Sequence, residues 1–453
     1  MLSELIKRHK LSIAFLGDIV VFALSMTIVL YVRYGIFSNN IGSFASSFGN
    51  SFTTQFSVHL YPFIIVLILW LAIFYISNLY TYNAFGNLLE ITKRVTTALL
   101  ISFAFTITIF YIFSRFFELT PKANLIALAI TFGILDITWR YLQRKIFIHK
   151  KYCSNVMMLA SSPLTNEISE YIDTNPQLGY ALYPFNTNML KLAETIQKNS
   201  IAQVVVDGRF FKNNTVIKTL YGILSRSVEI TSLTDFYESL FRCIPVSEIE
   251  EEWFIREITK NKSIYESTKF MVEIILIIAT LPITIPLAII IGILVATSSH
   301  GPIIYKQERV GKNDKPFTLY KFRTMKIDQD GPLWTVERDS RLTSIGKFLR
   351  HTHLDEMPQI LNVLKGDISF IGPRPERTKL AKIYEVIPYY EIRHIIKPGI
   401  IGWAQLNFKP STSIEEARKK FQFDLYYIKN RSFILDIFIL LKTVRLLIMA
   451  SEK

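Results

Sequence analysis

Between Arg350 and Arg377 the chain sets two adjacent carboxylates among cations. Asp355-Glu356-Met357-Pro358 follows Arg350. An apolar stretch then leads to Lys365-Gly366-Asp367 and to Gly372-Pro373-Arg374-Pro375-Glu376-Arg377. A carboxylate can accept a phosphoryl group. Its anionic target repels it unless cations intervene. Arg350, Arg374, Lys321 and Arg323 are the candidate cations, and arginine's planar fork suits phosphate oxygens. Pro358 suits a helix's first turn and Gly366 its C-terminal cap. The carboxylates then sit at a helix N-terminus, where the dipole keeps Asp355 ionised. Taken singly, each piece has a plainer reading. An Asp-Glu pair is usually a solvated helix start, Pro-Arg-Pro a surface corner, and Lys321-Phe322-Arg323 an edge strand. His351 and His353 flank the pair and are read as structural.

The elements that must position these groups begin with apolar helices. Half of the 453 residues are hydrophobic, with 34 Phe and 22 Tyr, and the formal net charge is +14. Excess Lys and Arg in such a chain point to anionic lipid on the cytoplasmic side. Nucleic acid is the rival partner, but no basic motif of a known reader occurs, so none is expected. Cys153 and Cys243 lie far apart without metal-ligand spacing, so neither disulfide nor zinc is expected. Lys7, Arg8 and Lys10 precede an apolar run to about Val32 with no small-residue cleavage site. That run exceeds a signal core of roughly 7–15 residues.

Four stretches, near 11–33, 58–79, 95–117 and 123–143, match the roughly 20 residues needed to cross a bilayer. They make residues 1–150 a four-helix transmembrane bundle. The loop from Tyr34 to Ser57 has no Lys or Arg, whereas Arg140, Arg144, Lys145, Lys150 and Lys151 follow the fourth span. Both ends of the bundle are therefore expected in the cytoplasm. Asp18 and Asp136 lie in or near spans, without basic partners in register. They are read as helix-helix hydrogen bonders or interfacial groups rather than an ion path.

Residues 151–255 read as a small doubly wound α/β domain. Asn155–Ala160 and Ala202–Asp207 are continuous apolar strands of the parallel kind. A helical pattern covers Thr165–Thr174, and Val228–Thr231 is a short strand. A dinucleotide site needs a Gly-rich turn after the first strand. Here the turn is Ala160-Ser161-Ser162-Pro163-Leu164, so a structural or regulatory module is expected.

The last part of the chain resembles a family. Gly301-Pro302-Ile303-Ile304-Tyr305-Lys306-Gln307-Glu308-Arg309-Val310-Gly311 is followed by Pro316-Phe317-Thr318-Leu319-Tyr320-Lys321-Phe322-Arg323-Thr324-Met325. Arg341–Arg350, Asp355-Glu356 and Gly372–Pro375 come next. Lys397-Pro398-Gly399-Ile400-Ile401-Gly402-Trp403-Ala404-Gln405 and Asp424–Asn430 close the set. This ordered series resembles the bacterial sugar transferases, the monotopic polyprenyl-phosphate sugar-1-phosphate transferases. These prime exopolysaccharide or O-antigen synthesis. The resemblance implies transfer of a sugar-1-phosphate from a nucleotide diphosphate sugar to undecaprenyl phosphate. It implies Asp355 as nucleophile and metal-bearing residue, Glu356 as its catalytic neighbour, a ping-pong route and Mg²⁺. Lys321, Arg323, Arg350, Arg374 and Gln405 are the implied substrate-binding residues. Glucose, galactose and N-acetylated sugars all fit, uracil rests on resemblance alone, and a homo-oligomer stays open. Asp339-Ser340-Arg341 and Asn407-Phe408-Lys409-Pro410 depart from the common pattern. The second departure bears on donor preference. A non-catalytic membrane scaffold is the alternative function, and a transporter a third.

Residues 256–453 are thus expected as a mostly α catalytic domain. Lys269–Thr297 is apolar enough to cross, yet a crossing would separate the cytoplasmic middle domain from a site fed by cytoplasmic sugar nucleotides. Pro282 and Pro286 near its centre kink a helix. A re-entrant helix-break-helix is therefore expected, with Thr280 and Thr284 available at the break. The apolar stretch Ser432–Met449, interrupted by Asp436, Lys442 and Arg445, is expected to lie in the plane of the membrane. The inner membrane of a bacterium, with the catalytic domain on the cytoplasmic face, is the implied location.

Overall fold

The computed structural model describes residues 10–36, 52–77, 79–80, 88–112, 122–149, 153–160, 162–184, 192–208, 228–249, 251–258, 262–326 and 341–450, with isolated positions between 210 and 222. The loops 37–51 and 113–121 lie outside the described residues. So do Lys7, Arg8, Arg115, Lys150, Lys151, Ser161 and the pair Asp339-Ser340. The chain forms two compact units, residues 1–233 and 234–453.

Four helices open the first unit: α1 (Lys10–Leu30), α2 (Phe52–Ile76), α3 (Leu88–Ile112) and α4 (Lys122–Ile148). They share one apolar core containing Phe22, Phe63, Trp70, Phe74 and Phe132. The Phe132 ring meets Phe22 and Trp70 edge-on at 5.8 and 5.4 Å. Asp18, Asp136 and Arg140 are also buried there. Arg140 counts by sequence among the charges after the fourth span, yet it lies inside α4 and pairs with both carboxylates. Its Nε donates to Asp136 Oδ2 at 3.0 Å, Nη2 donates to Asp18 Oδ2, and Nη1 donates to the Leu79 carbonyl at 3.1 Å. The Tyr80 hydroxyl adds a bond to Asp18 at 2.7 Å.

A small parallel sheet follows in the same unit. Its strands are β1 (Ser154–Leu159), β2 (Tyr180–Pro184), β3 (Gln203–Val206) and β4 (Glu229–Ser232), in the order β2-β1-β3-β4. α5 (Pro163–Thr174) and α6 (Leu192–Lys198) connect them. β2 has no counterpart among the sequence expectations. It is an edge strand of partly buried residues, so it lacks the continuous apolar run that marks β1 and β3. The glycine-free turn after β1 serves α5. Ser162 Oγ accepts the Leu164 N–H at 3.2 Å, and Pro163 takes the first helical position.

The second unit contains α7 (Leu233–Phe241), α8 (Glu251–Ile258) and the 36-residue α9 (Ser263–Ser298). The hairpin β5 (Ile304–Val310) and β6 (Pro316–Phe322) follows, then α10 (Ser344–His351) and α11 (Ile360–Lys365). Next come β7 (Ser369–Ile371), α12 (Thr378–Tyr384), β8 (Gly399–Ile401) and α13 (Trp403–Asn407). α14 (Ile414–Asn430) and α15 (Phe433–Ala450) close the described chain. The main core gathers Ile387, Trp403, Phe421, Leu425, Ile428 and Ile439. Trp403 is therefore a core residue.

Pro282 and Pro286 lie inside α9, and the helix continues on both sides of each. The expected interruption of the helix is absent. A proline removes one hydrogen bond and bends a helix, which does not by itself end it. Thr280 Oγ1 donates to the Leu276 and Ile277 carbonyls at 2.9 and 3.0 Å. Both parts of α9 pack on the same unit. Ile277 joins Leu319, Val363 and Ile368, while Ile291 and Val295 join Phe322 and Leu349. Lys269 Nζ donates to the Ile371 carbonyl and Tyr427 hydroxyl, each at 2.8 Å, and pairs with Asp436 at 3.0 Å. α15 buries Leu435, Asp436 and Ile439 and leaves Ile434, Ile437, Leu440 and Val444 exposed.

Candidate active site

Local sequence chemistry builds the site between the hairpin and α10. Thr343 caps α10, its Oγ1 accepting the Gly346 N–H at 2.9 Å, and its own N–H donates to the Thr324 carbonyl at 3.1 Å. A Cβ on Gly346 would stand 2.1 Å from that carbonyl oxygen, so only glycine lets α10 approach the end of β6. Past α10, His353 adopts a left-handed φ of 55°, an uncommon conformation for a residue with a side chain. The chain then enters a 3₁₀ turn, Leu354–Gln359, that holds Asp355, Glu356 and Pro358. Pro358 therefore lies in a tight turn ahead of α11, not at the start of an α-helix. Gly366 caps α11 at φ 78° as expected.

Asp355 and Glu356 are treated differently. Glu356 Oε1 accepts from Lys321 Nζ at 2.6 Å and from Arg374 Nη2 at 2.7 Å. Burial opposes ionisation of Glu356, but the charges and hydrogen bonds of Arg374 and Lys321 outweigh it and hold the carboxyl far below the usual range. The Asp355 carboxylate has no hydrogen bond among the described residues, although the residue is only 7% exposed. Burial, with the Glu356 charge added, raises its pKa, while Lys321 and Arg350 pull it down. Burial and the Arg374 charge lower Lys321.

The sequence-derived cations part company here. Lys321 and Arg374 meet at Glu356. Arg350 Nε donates to Thr324 Oγ1 at 3.0 Å, leaving its terminal nitrogens unpartnered among the described residues. Its charge bears on Asp355. Arg323 does not join them. Its Nη1 donates to the Pro302 carbonyl at 2.8 Å, and Nη2 to the Ser299 and Val295 carbonyls at 2.6 and 3.3 Å. It closes the C-terminal end of α9, where free carbonyls attract a cation. Strand alternation would put Lys321 and Arg323, two positions apart, on one face, but β6 ends at Phe322 and Arg323 lies beyond it, free to turn to the end of α9. Gln405 has no bond to the Lys321–Glu356–Arg374 cluster, and its Oε1 is buried without a partner.

A second layer holds the Pro-Arg-Pro corner. Arg393 Nη2 donates to the Arg374 carbonyl at 3.0 Å and to Asp424 Oδ2 at 2.8 Å. Arg309 Nη1 donates to the Pro375 carbonyl at 2.8 Å. Glu376 meets Lys420 at 3.0 Å and Arg393 at 3.4 Å. Sequence reasoning gave Arg393 no role. The available signal was Asp424, a lone carboxylate on the apolar face of α14 that needs a buried cation. Beneath the corner β7 and β8 run parallel, and a Cβ on Gly399 would stand 2.0 Å from the Gly372 nitrogen.

A family model described as bacterial sugar transferase matches residues 264–450, a range holding all of these groups. Over 185 residues the chain is 42% identical to a UDP-N-acetylgalactosamine-undecaprenyl-phosphate N-acetylgalactosaminephosphotransferase of Aeromonas hydrophila, covering 40% of this chain and 44% of that protein. A UDP-glucose:undecaprenyl-phosphate glucose-1-phosphate transferase of Xanthomonas campestris pv. campestris is 30% identical over 314 residues, covering 62% of this chain and 64% of that one. The match thus spans less than two thirds of either relative. The exopolysaccharide production protein PSS of Rhizobium leguminosarum bv. phaseoli is 38% identical over 176 residues, 37% of this chain and 88% of its own length. With that relative matched over most of its length, and with the paired carboxylates, hairpin and Pro-Arg-Pro corner inside the matched range, the chain belongs to the bacterial sugar transferase family.

Proposed function

We propose that this chain transfers a sugar-1-phosphate from a nucleotide diphosphate sugar, a UDP-hexose, to undecaprenyl phosphate, the priming step of surface polysaccharide synthesis. The observation that carries the reading is the contrast at the paired carboxylates. Glu356 is held by two cations, whereas Asp355 is buried, without a hydrogen bond, and flanked by positive charge. A carboxylate so placed is ready to attack.

In the first half-reaction an Asp355 oxygen bonds to the phosphorus bearing the sugar. The bond from that phosphorus to the bridging oxygen breaks, and the nucleoside monophosphate leaves with the electron pair. In the second half an oxygen of undecaprenyl phosphate bonds to the same phosphorus, the Asp355–phosphorus bond breaks, and the carboxylate is restored. Both nucleophiles are anions, so neither half requires a general base. Glu356 then acts by holding Lys321 and Arg374 where charge develops. Arg350 adds its unpartnered nitrogens, and Gln405 its unsatisfied Oε1 for a donor hydroxyl. Arg323 leaves the substrate set for the end of α9.

No cluster of three or more His, Cys, Asp or Glu groups suited to a metal occurs among the described residues. A single free carboxylate still fits Mg²⁺, which is commonly held by one or two carboxylates with phosphate oxygens and water. Asp355 would hold the ion, which when bound supplies positive charge to the phosphate oxygens.

Five helices, α1 to α4 and α9, are long and apolar enough to cross a membrane. Both ends of α9 are tied to the same unit, at Lys269 and at Ser299. That supports a bent helix dipping into one leaflet from the cytoplasmic face of a bacterial inner membrane, and the two-faced α15 suits an in-plane position beside it. The test is Asp355→Asn in the full chain. The variant is expected to fold, to release no nucleoside monophosphate and to trap no labelled sugar-phosphate under single-turnover conditions. Retained turnover, or an adduct on another side chain, overturns the reading. Normal glycan export by cells carrying the variant would favour a scaffold.

A further inference from the structure

The catalytic reading leaves unused a cleft of about 510 Å³ among α7, α14 and α15, whose lining includes Asp235, Glu238, Arg242, Tyr426, Lys429 and Phe438. Its two ends differ in sign. At one end Lys429 Nζ is shared between Glu238 at 2.7 Å and Asp235 at 3.4 Å, and Asn430 donates to Glu238 at 2.7 Å. Two carboxylates there share one ammonium. At the other end Arg242 is exposed and has no ion pair among the described residues. Its backbone carbonyl accepts the Trp403 indole N–H at 3.0 Å, and Lys442 Nζ lies 5.0 Å over the same indole. The Arg242 backbone and the Lys442 side chain thus meet the same indole, and Lys442 Nζ also donates to Asn407 Oδ1 at 2.6 Å. Burial and the like charges of Arg242 and Arg445 push Lys442 down to about 8.

The third wall is apolar. Ile434, Leu435 and Phe438 line it, and exposed Ile437, Leu440 and Val444 continue along α15. Phe433, at the start of α15, meets the Tyr265 ring of α9 at 5.1 Å. This sets the cleft near the point where the apolar part of α9 begins.

We propose that the cleft binds the head of a phospholipid carrying one phosphate and one primary ammonium, of the phosphatidylethanolamine type. Its phosphate lies on Arg242 and Lys442, its ammonium on Asp235 and Glu238, and its chains run along Ile434 and Phe438. The inference rests on α9 lying in a membrane. A headgroup of this class satisfies both ends at once. An anionic phospholipid answers only the cationic end and meets Asp235 as a like charge. A trimethylammonium head has no N–H to give the carboxylates. The site lies apart from the Asp355 cluster and its substrates.

The test uses the full chain in non-ionic detergent, titrated with dioleoyl phosphatidylethanolamine, phosphatidylglycerol or phosphatidylcholine, with retained lipid counted by native mass spectrometry. Soluble phosphoethanolamine is a fourth arm. Phosphatidylethanolamine is expected to be retained at about tenfold lower concentration than the other lipids. Arg242→Ala is expected to raise that concentration about tenfold, and Asp235→Ala to abolish the preference over phosphatidylglycerol. Equal retention of the three lipids, or unchanged retention in both variants, overturns the proposal. Soluble phosphoethanolamine binding as tightly as the lipid also overturns it, in favour of a free phosphoamine. Impermeant maleimide on single cysteines at Ile264→Cys and His300→Cys in sealed vesicles separates the possible failures. Reaction from opposite sides refutes the membrane position proposed for α9 and this site with it, whereas reaction from one side without headgroup discrimination refutes the site alone. Asp355→Asn is expected to retain the lipid as the wild type does, whatever its effect on transfer.

Discussion

Asp355 and Glu356 are neighbours in the chain, and two hydrogen bonds separate their behaviour. Lys321 and Arg374 both close on Glu356, which leaves Asp355 to burial and to unbonded positive charge. The proposed attack requires ionised Asp355. Burial lifts its carboxyl above 3.8, so the single-turnover rate is expected to fall on the acid side with a midpoint above 3.8. A profile that stays flat down to that value would contradict the assignment. Arg374→Ala removes a cation from the developing charge and leaves Glu356 with Lys321 alone. Its expected cost in kcat/KM for the donor is on the order of 10²-fold, and wild-type kinetics would exclude Arg374 from the site.

At the scale of elements, the site depends on how closely backbones approach. α10 reaches β6 through Gly346, and β7 reaches β8 through Gly372 and Gly399. Gly399→Ala is expected to abolish the folded state of the second unit. Gly208→Ala, with nothing within 4 Å of the added carbon, leaves the melting temperature unchanged. The corner that carries Arg374 is held by Arg393, Glu376, Lys420 and Asp424. Burial opposes the Glu376 charge, but Lys420 and Arg393 win and bring it from 4.5 to about 2. A lowered carboxyl pKa contributes stability in full above the unfolded value, and that contribution fades as pH falls from 4.5 to about 2. At about 1.4 kcal/mol per unit the contribution is on the order of 3 kcal/mol. Glu376→Gln is therefore expected to lower the urea midpoint at pH 7, with the gap to wild type closing over that interval. A gap independent of pH would show that Glu376 acts by packing alone.

At the scale of the whole molecule, two arrangements answer to a membrane. In the first unit Arg140 pairs with both Asp18 and Asp136 inside a helical core. Removing one member of a buried ionic group strands the others, at about 3–5 kcal/mol. Arg140→Ala is expected to lower the thermal midpoint of the detergent-solubilised chain, and an unchanged midpoint would show that water already reaches the group. Both parts of α9 pack on the second unit, which underlies the proposed re-entrant path. With Cys153 and Cys243 replaced, single cysteines at Ile264→Cys and His300→Cys are expected to react with an impermeant maleimide from the same side of sealed vesicles. Reaction from opposite sides would make α9 a crossing helix.

The sequence by itself determined the apolar helices, the strands β1 and β3, the Asp-Glu pair, the Pro-Arg-Pro corner and the Gly366 cap. Each of these is written in local periodicity or in a residue whose backbone or charge has few uses. Tertiary structure decided which cation serves which group. Lys321 and Arg323 differ by two positions, and the ends of β6 and α9 send one to Glu356 and the other to the Ser299 carbonyl. It also decided that Arg140 belongs to Asp18, that Arg393 holds the corner, and that α9 runs on through two prolines. Such pairings join residues tens to hundreds of positions apart. Burial makes each charge costly unless a partner offsets it, and which groups are buried together is contained in no short window of sequence.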